Sequence, residues 1–458
     1  MTRPKVLYTV AAAKLRRFTS GAVATFERYR GRRSKVFFAF VAVALWGLVS
    51  AIVLYRVADA PSDPSETRQT DIQPDADLIA RGAYLAAASD CVSCHTVPGK
   101  PPYSGGTPFK LPFGTLYGSN ITPDVKYGIG SWSDSDFVTA MHRGIAKDGH
   151  HLYPAFPYTN YTKMPVSDVL AIKAYLFSLK PVPIPSIKNK MVFPFNQTWG
   201  IAYWNLIFNP NRRFQADPNR STQLNRGAYL VEGPGHCAMC HSPMNLAFAP
   251  KKDREMAGSV VEGLRSYNIS SALEWGVGSW SETELANYLK TGYSENRGAA
   301  GASMGEVVRN STSHMSDPDL LAMAAYLKQL PPQRGVVEIT KHSAGAKLDG
   351  LQTFAGQPDG RHIYEGACMG CHGPGGPATA YAGNLQGHPS VNDASTLNAT
   401  WVILHGVDYW TAEGHVYMPS FSGAYSDAEI VSVVRYVEAA FGPGGAKVNG
   451  KGVEKARK

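Results

Sequence analysis

Apolar residues return at i, i+3, i+4 and i+7 in three stretches of this chain: "SDVLAIKAYLFSL" (167–179), "DPDLLAMAAYLKQL" (317–330) and "SDAEIVSVVRYVEAAF" (426–441). That spacing lines one face of a helix, and each stretch carries an Asp near its start, where a helix N-terminus favours negative charge. Two further helical patterns precede the first two stretches, and both begin "RGAYL", at Arg81 and Arg226. Between the paired helices the periodicity stops and Gly and Pro accumulate, which predicts irregular loops. The loops repeat too: "GIGSWSDSDF" (128–137) matches "GVGSWSETEL" (276–285), after "SNITPD" and "SYNISS". The pattern predicts a mainly α protein with three tandem helical domains at 76–180, 221–332 and 351–443, the third shorter and more divergent. Connectors are expected at 181–220 and 333–350, with a mobile tail over 444–458.

A fourth apolar stretch has a different character. Val36 to Tyr55 is an uncharged run of 20 residues. At 1.5 Å per helical residue it reaches roughly 30 Å, the thickness of a bilayer core. Residues 1–35 contain ten Lys and Arg against one acid, Glu27, which accounts for the whole formal charge of +9. The remaining chain is formally neutral, so the positive charge is a topology signal and no nucleic-acid partner is expected. A basic flank stays cytoplasmic, which puts everything after Arg56 outside the bacterial inner membrane, in the periplasm. A cleaved leader would have a shorter apolar region, and its only small-x-small site, Ala58-Asp59-Ala60, is followed by Pro61. The expectation is a basic segment (1–35), a retained transmembrane helix (36–55) and a flexible linker (56–75).

The chemistry lies in the cysteines. All six fall in three copies of Cys-x-x-Cys-His: Cys91, Cys94 and His95; Cys237, Cys240 and His241; Cys368, Cys371 and His372. Two thiols three positions apart on one helical turn can each add to a vinyl group of one haem, and the adjacent His reaches the iron as axial ligand. A redox dithiol has no use for that His, and structural zinc wants paired Cys-x-x-Cys units. Three covalently bound haems c are expected, which makes the domains cytochrome c-like.

The second axial ligand of such a haem is commonly Met. Met418, in "VYMPSF", lies just before the third closing helix, in an expected loop. Met304, in "GASMGEVV", holds the corresponding place in the second unit and is preferred to Met315. In the first unit that place falls on Phe156, which cannot ligate iron. Met164 is the nearest thioether and the candidate there; His150, His151 or an open site are the alternatives. The remaining histidines are expected to be ordinary hydrogen-bonders, and Trp132 and Trp280 either line haem edges or anchor loops. The connector segment "TWGIAYWNLIF" is aromatic and apolar. Packing between the first two units is its expected role, ahead of membrane contact, partner docking or quinone access.

These residues resemble the triheme cytochrome c subunits of bacterial membrane-bound dehydrogenases that oxidise alcohols, aldehydes, gluconate or sugars. The resemblance rests on the "RGAYL" openings with their Cys-x-x-Cys-His motifs, on "NITPD" with "GIGSWSDSDF", on "HLYPAFPYTNYTKM", on "NRGAYLVEGPGHCAMCH" and on the final "MPSF", and covers about residues 75–442. It implies an electron-transfer subunit carrying electrons from a catalytic subunit to ubiquinone in the membrane. Members serving quinoprotein alcohol dehydrogenases tend to carry Met where Phe156 stands, and a cleaved leader. The "FPFNQTW" linker and the N-terminal span are closer to relatives that accompany molybdenum–iron–sulfur aldehyde- or heteroaromatic-oxidising enzymes, so an aldehyde-oxidising partner of that type is expected before a quinoprotein alcohol or flavin sugar enzyme. The rival readings are a peroxidase-like haem enzyme with an open iron site and the cytochrome subunit of a terminal oxidase.

Overall fold

The computed structural model describes residues 40–41, 43–48, 50, 75–274, 276–294, 297–335, 358–377, 385–386, 388–411 and 414–457. The chain divides into two compact units, Met1–Arg68 and Gln69–Lys458. The expected basic segment 1–35, most of the span 36–55, nearly all of the linker 56–75 and most of the connector 333–350 lie outside the described residues. Those described within 40–50 are helical. Among the described residues no helix is long and apolar enough to cross a membrane.

In the larger unit, α1 (Ala76–Ala88) is capped by the Asp75 carboxylate, which accepts from Leu78 N at 2.8 Å. It leads into α2 (Cys91–His95), the first Cys-x-x-Cys-His turn. A hairpin, β1 (Pro108–Leu111) with β2 (Gly114–Tyr117), is followed by α3 (Asp134–Arg143), α4 (Tyr158–Tyr161) and the closing α5 (Val166–Ser178). Strand β3 (Lys190–Met191) then pairs with β2, and α6 (Gly200–Phe208) follows.

The sequence of elements then repeats: α7 (Thr222–Glu232), α8 (Ala238–His241), the hairpin β4 (Ser259–Val261) and β5 (Leu264–Ser266), and α9 (Glu282–Thr291). A short pair, β6 (Tyr293–Ser294) with β7 (Gly298–Ala299), precedes α10 (Ala302–Asn310) and the closing α11 (Asp317–Gln329). The last round comprises α12 (Gly360–Ala367), α13 (Met369–His372), α14 (Pro389–Asn392) and α15 (Leu397–His405). It ends with the hairpin β8 (Val407–Thr411) and β9 (Gly414–Met418), the closing α16 (Asp427–Phe441), and α17 (Gly450–Arg457).

In all three rounds the opening helix crosses the closing one through a glycine. A Cβ on Gly82, Gly227 or Gly360 would overlap the carbonyl oxygen of Ala171, Ala322 or Ser432 respectively. The "RGAYL" repeat gains its reason here. Arg81 bonds Asp168 of its own closing helix, and Asp168 also accepts from Tyr229 of the second round. Reciprocally, Arg226 holds Asp319 through two bonds of 2.8 and 2.7 Å, and Asp319 accepts from Tyr84 of the first round. One buried apolar cluster runs through both rounds, including Leu85, Met164 and Ile172 of the first and Leu230, Leu320 and Met323 of the second.

Two expectations are corrected. The tail 444–458 is not mobile over its described part. In α17 Val453 is fully buried against Leu404 and Ile430, and Arg457 bonds Asp427 at 2.7 Å and the Tyr425 carbonyl at 3.1 Å. Its Lys and Gly content reads as solvated, but two valines and one arginine suffice to dock it. The connector 181–220 is tied to the first round from its start: Asn120 donates to the carbonyls of Val182 and Ile184, at 2.8 and 2.9 Å, and β3 joins the first hairpin. Helix α6 packs as expected on its inner side, where Ile201 is buried, Tyr158 donates to Asn205 at 2.7 Å and Trp204 donates to the Ala247 carbonyl at 2.7 Å. Its outer side is not packed: Leu206 and Ile207 are exposed, as are Phe193 and Trp199 just before the helix. Finally, Met418 ends a strand and Met304 sits in the first turn of a helix, where loops were expected.

Candidate functional site

Each Cys-x-x-Cys-His motif is a single helical turn, so both thiols and the imidazole leave the backbone within about 6 Å of helix rise. All six cysteines are unbridged. Burial pushes the Cys91, Cys94 and Cys237 thiols up to about 12 and those of Cys240 and Cys368 up to about 11. A redox dithiol needs a depressed thiol, which this environment does not supply. Among the described residues no three His, Cys, Asp or Glu side chains cluster so as to hold a metal ion directly.

The imidazoles are prepared for iron. His95 Nδ1 sits 2.6 Å from the Ser119 carbonyl, and His241 Nδ1 sits 2.6 Å from that of Tyr267. A carbonyl accepts only, so Nδ1 carries the proton and Nε2 keeps its lone pair, the arrangement found in metal-ligating histidines. Burial lowers both rings below the usual range and keeps them neutral. The repeated asparagines fix those carbonyls. Asn120 Oδ1 accepts from Thr122 N at 2.9 Å, and Asn268 Oδ1 accepts from Ser270 N at 2.8 Å. In the third round His388 Nδ1 accepts from Ser390 N at 3.1 Å in the same manner. Two of the histidines read as ordinary carry rings lowered by burial, His142 to about 3 and His388 to about 4, which sequence spacing alone did not reveal.

A cavity of about 1330 Å³ opens on two of the motifs at once. It is lined by Cys237, Cys240, His241 and Met304 on one side and by Cys368, Cys371, His372 and Met418 on the other. The expected proximal and distal residues of the second and third motifs therefore do come together. Trp280 lines the same cavity, with Tyr288 edge-on at 5.3 Å. Arg265 and Arg297, which sequence reading missed, are cationic groups on this mostly apolar wall, and each is paired with a carboxylate of the chain, Asp393 at 3.5 Å and Glu284 at 3.2 Å. The walls, thiols and imidazoles all fit a covalently held haem.

Around the first motif, Asp90 takes a left-handed backbone (φ 49°), and its carboxylate accepts from Ser93 at 2.6 Å. Ser93 accepts in turn from Asn310, at the C-terminal end of α10, at 2.8 Å. Helix α10 thus carries Met304 at one end and touches the first motif with the other. Met164 is 0% exposed in the shared core, and Phe156 is partly buried against the same cluster.

Comparison with known proteins bears on this geometry. The family model for cytochrome c matches residues 79–180, and that for cytochrome c oxidase, cbb3-type, subunit III matches residues 355–437. The alcohol dehydrogenase (quinone) cytochrome c subunit of Gluconacetobacter polyoxogenes is 35% identical over 81% of this chain and 82% of its own length. The gluconate 2-dehydrogenase cytochrome c subunit of Pantoea cypripedii is 34% identical over 85% of this chain and 91% of its own. The chain belongs to the family of cytochrome c subunits of dehydrogenases. A subunit of the nicotinate dehydrogenase of Pseudomonas putida is 39% identical over 90% of this chain, which spans 34% of that protein's length. A cytochrome c subunit of this kind binds haem c covalently, and the family's part is electron transfer alongside a separate catalytic subunit.

Proposed function

We propose that the chain is a relay of three covalently attached haems c, one in each of three cytochrome c-like domains, held at the periplasmic face of the bacterial inner membrane by residues 36–55. It passes electrons from a dehydrogenase catalytic subunit to ubiquinone. Cys91 and Cys94, Cys237 and Cys240, and Cys368 and Cys371 make the attachments. His95, His241 and His372 are the proximal ligands, and Met304 and Met418 the distal ligands of the second and third sites. Once bound, each haem supplies a one-electron couple whose potential follows its axial ligands and burial.

The observation that carries the reading is the shared cavity. Two complete sets of attachment and ligand residues line one continuous space, and α10 ties that space to the first motif through Asn310 and Ser93. Such closeness suits transfer along a line with the second site in the middle. The uncharged run at 36–55 and the exposed face around Phe193, Trp199 and Ile207 support a membrane-side position. The resemblance of the sequence favours a molybdenum–iron–sulfur partner that oxidises aldehydes, and similarity to a subunit of the nicotinate dehydrogenase of Pseudomonas putida supports a heteroaromatic substrate as well.

The test is mild-detergent extraction from the native membrane, with mass spectrometry of what copurifies, a haem count per chain and an assay of ubiquinone reduction. A large dehydrogenase subunit, three haems and substrate-driven quinone reduction are expected. A cytochrome isolated alone that turns over peroxide, or one copurifying with a copper–haem core, would overturn the reading.

A further inference from the structure

The three rounds are not equivalent on the distal side. Met304 comes 63 residues after His241 and Phe156 comes 61 after His95, each between a Ser-capped helix (α9 or α3) and the closing helix. Met304 and Met418 line the cavity that holds His241 and His372. Phe156 instead packs against the apolar core, of which Tyr161 is a member, and Cys91 and Trp132 border the same core. Its ring stands edge-on to Tyr161 at 5.5 Å and tilted toward Tyr158 at 6.2 Å. Tyr161 is itself pinned, donating to the Ser89 carbonyl at 2.8 Å, two residues before Cys91. A phenyl ring fixed there is an apolar wall with no lone pair for iron.

Met164, His142 and His150 have other places, whereas His151, whose Nδ1 is buried without a partner among the described residues, is the donor that the His151→Gln variant tests. Met164 directly precedes the Pro that caps α5, as Met315 precedes the Ser that caps α11. Met315 is present in addition to Met304 in the second round, and both line the cavity, so Met164 corresponds to Met315 and the first round lacks a thioether at the place of Met304. His142 lies two residues before the helix-ending Gly144, as Lys290 lies two before Gly292. Lys290 donates to the Met315 carbonyl at 2.8 Å, and the His142 ring is buried beside the Met164 backbone, the corresponding spot. His150 is exposed and held by Asp148.

We propose that the first haem site is open on its distal side, walled by Phe156, and that iron held there by His95 takes a small neutral diatomic ligand such as carbon monoxide or nitric oxide. The proposal rests on the haem reading above, so the experiment measures the two separately. In the full complex, a pyridine haemochrome assay counts haems per chain, and titration of the dithionite-reduced protein with carbon monoxide counts those that bind it. A count other than three defeats the relay reading whatever the carbon monoxide result.

The expected stoichiometry is about one carbon monoxide per chain. Met304→Ala and Met418→Ala should each raise it by about one, and Met164→Ala should leave it unchanged. Phe156→Met should lower it to near zero and add the thioether-to-iron charge-transfer band in the oxidised spectrum. A wild-type protein that binds none overturns the proposal even if no variant folds. Gain of binding in Met164→Ala or His151→Gln would then identify the donor. Unaltered binding in a folded Phe156→Met protein overturns the assignment of the open site to the first round.

Discussion

Asp168 and Asp319 each take an arginine from their own helix pair and a tyrosine from the other. Burial pushes the Asp319 carboxyl up, but the bonds from Arg226 and Tyr84 outweigh it and hold it below the usual carboxylate range. Asp319→Ala strands both partners at the boundary between two rounds and should cost about 2–4 kcal/mol, the scale of a broken, partly buried charge pair. Thermal melts of Asp319→Ala, Tyr84→Phe and the double variant should show a non-additive coupling of at least ~0.5 kcal/mol. Additive losses would mean that the reciprocal pattern has no energetic content. His142 gives a pH signature. Its buried ring, beside the Arg213 cation, is lowered to about 3. Between the unfolded value near 6.5 and that folded value the unfolded chain binds the extra proton, so stability is complete above about 6.5 and falls as pH drops. The slope should approach ~1.4 kcal/mol per pH unit and vanish from that window in His142→Gln, as read from denaturant midpoints between pH 4 and 7.

The helix crossing is the recurrent unit at the scale of elements. Gly227 lets α7 press against the Ala322 carbonyl on α11, and a side chain there forces the helices apart. Alanine in a helix interior ordinarily gains about 1 kcal/mol over glycine. At Gly227 the sign should reverse, with a loss of about 3 kcal/mol from overpacking, measurable by calorimetry. A stabilised Gly227→Ala protein would contradict the crossing geometry. Helix α10 is the second element of note. Met304 in its first turn lines the cavity, Asn310 at its end bonds the first motif, and its Val308 packs with Tyr409 of the β8–β9 hairpin. Tyr409 also donates to the carbonyls of Gly292 and Ala300, at 3.3 and 3.2 Å, tying the strand pair that ends in Met418 to the second round.

Over the larger unit as a whole, the first two rounds share one apolar core and the third joins through smaller contacts. The Arg265 backbone N–H donates to Asn398 at 2.8 Å, and Asn398 donates back to the Arg265 carbonyl at 2.9 Å. Among its described residues the third round has no arginine–tyrosine exchange of the kind seen in the first two. Arg361 pairs with Glu365 in its own helix at 2.7 Å, and Asp427 pairs with Arg457 of α17. This divergence is visible in the sequence, where "RGAYL" occurs twice and not three times. The consequence is an unequal assembly, a tightly fused pair and a third round seated over the cavity that completes the second site.

The sequence by itself determined the local chemistry: three Cys-x-x-Cys-His turns, helices of period 3.6 and repeated loop signatures are covalent spacings and short-range patterns, legible without knowing how the chain returns on itself. It also singled out Met304 and Met418, which the fold brings to one cavity with His241 and His372. Tertiary structure alone decided which tyrosine meets which aspartate, which faces of α6 are covered, that α17 docks, and that two motifs share one cavity while a third touches it through α10. Those depend on contacts between residues tens to hundreds apart, and neither periodicity nor spacing carries information about such pairs. Phe156 illustrates the division. Its failure to ligate iron is plain from its side chain, but the tyrosines that fix it as a wall were brought to it by the fold.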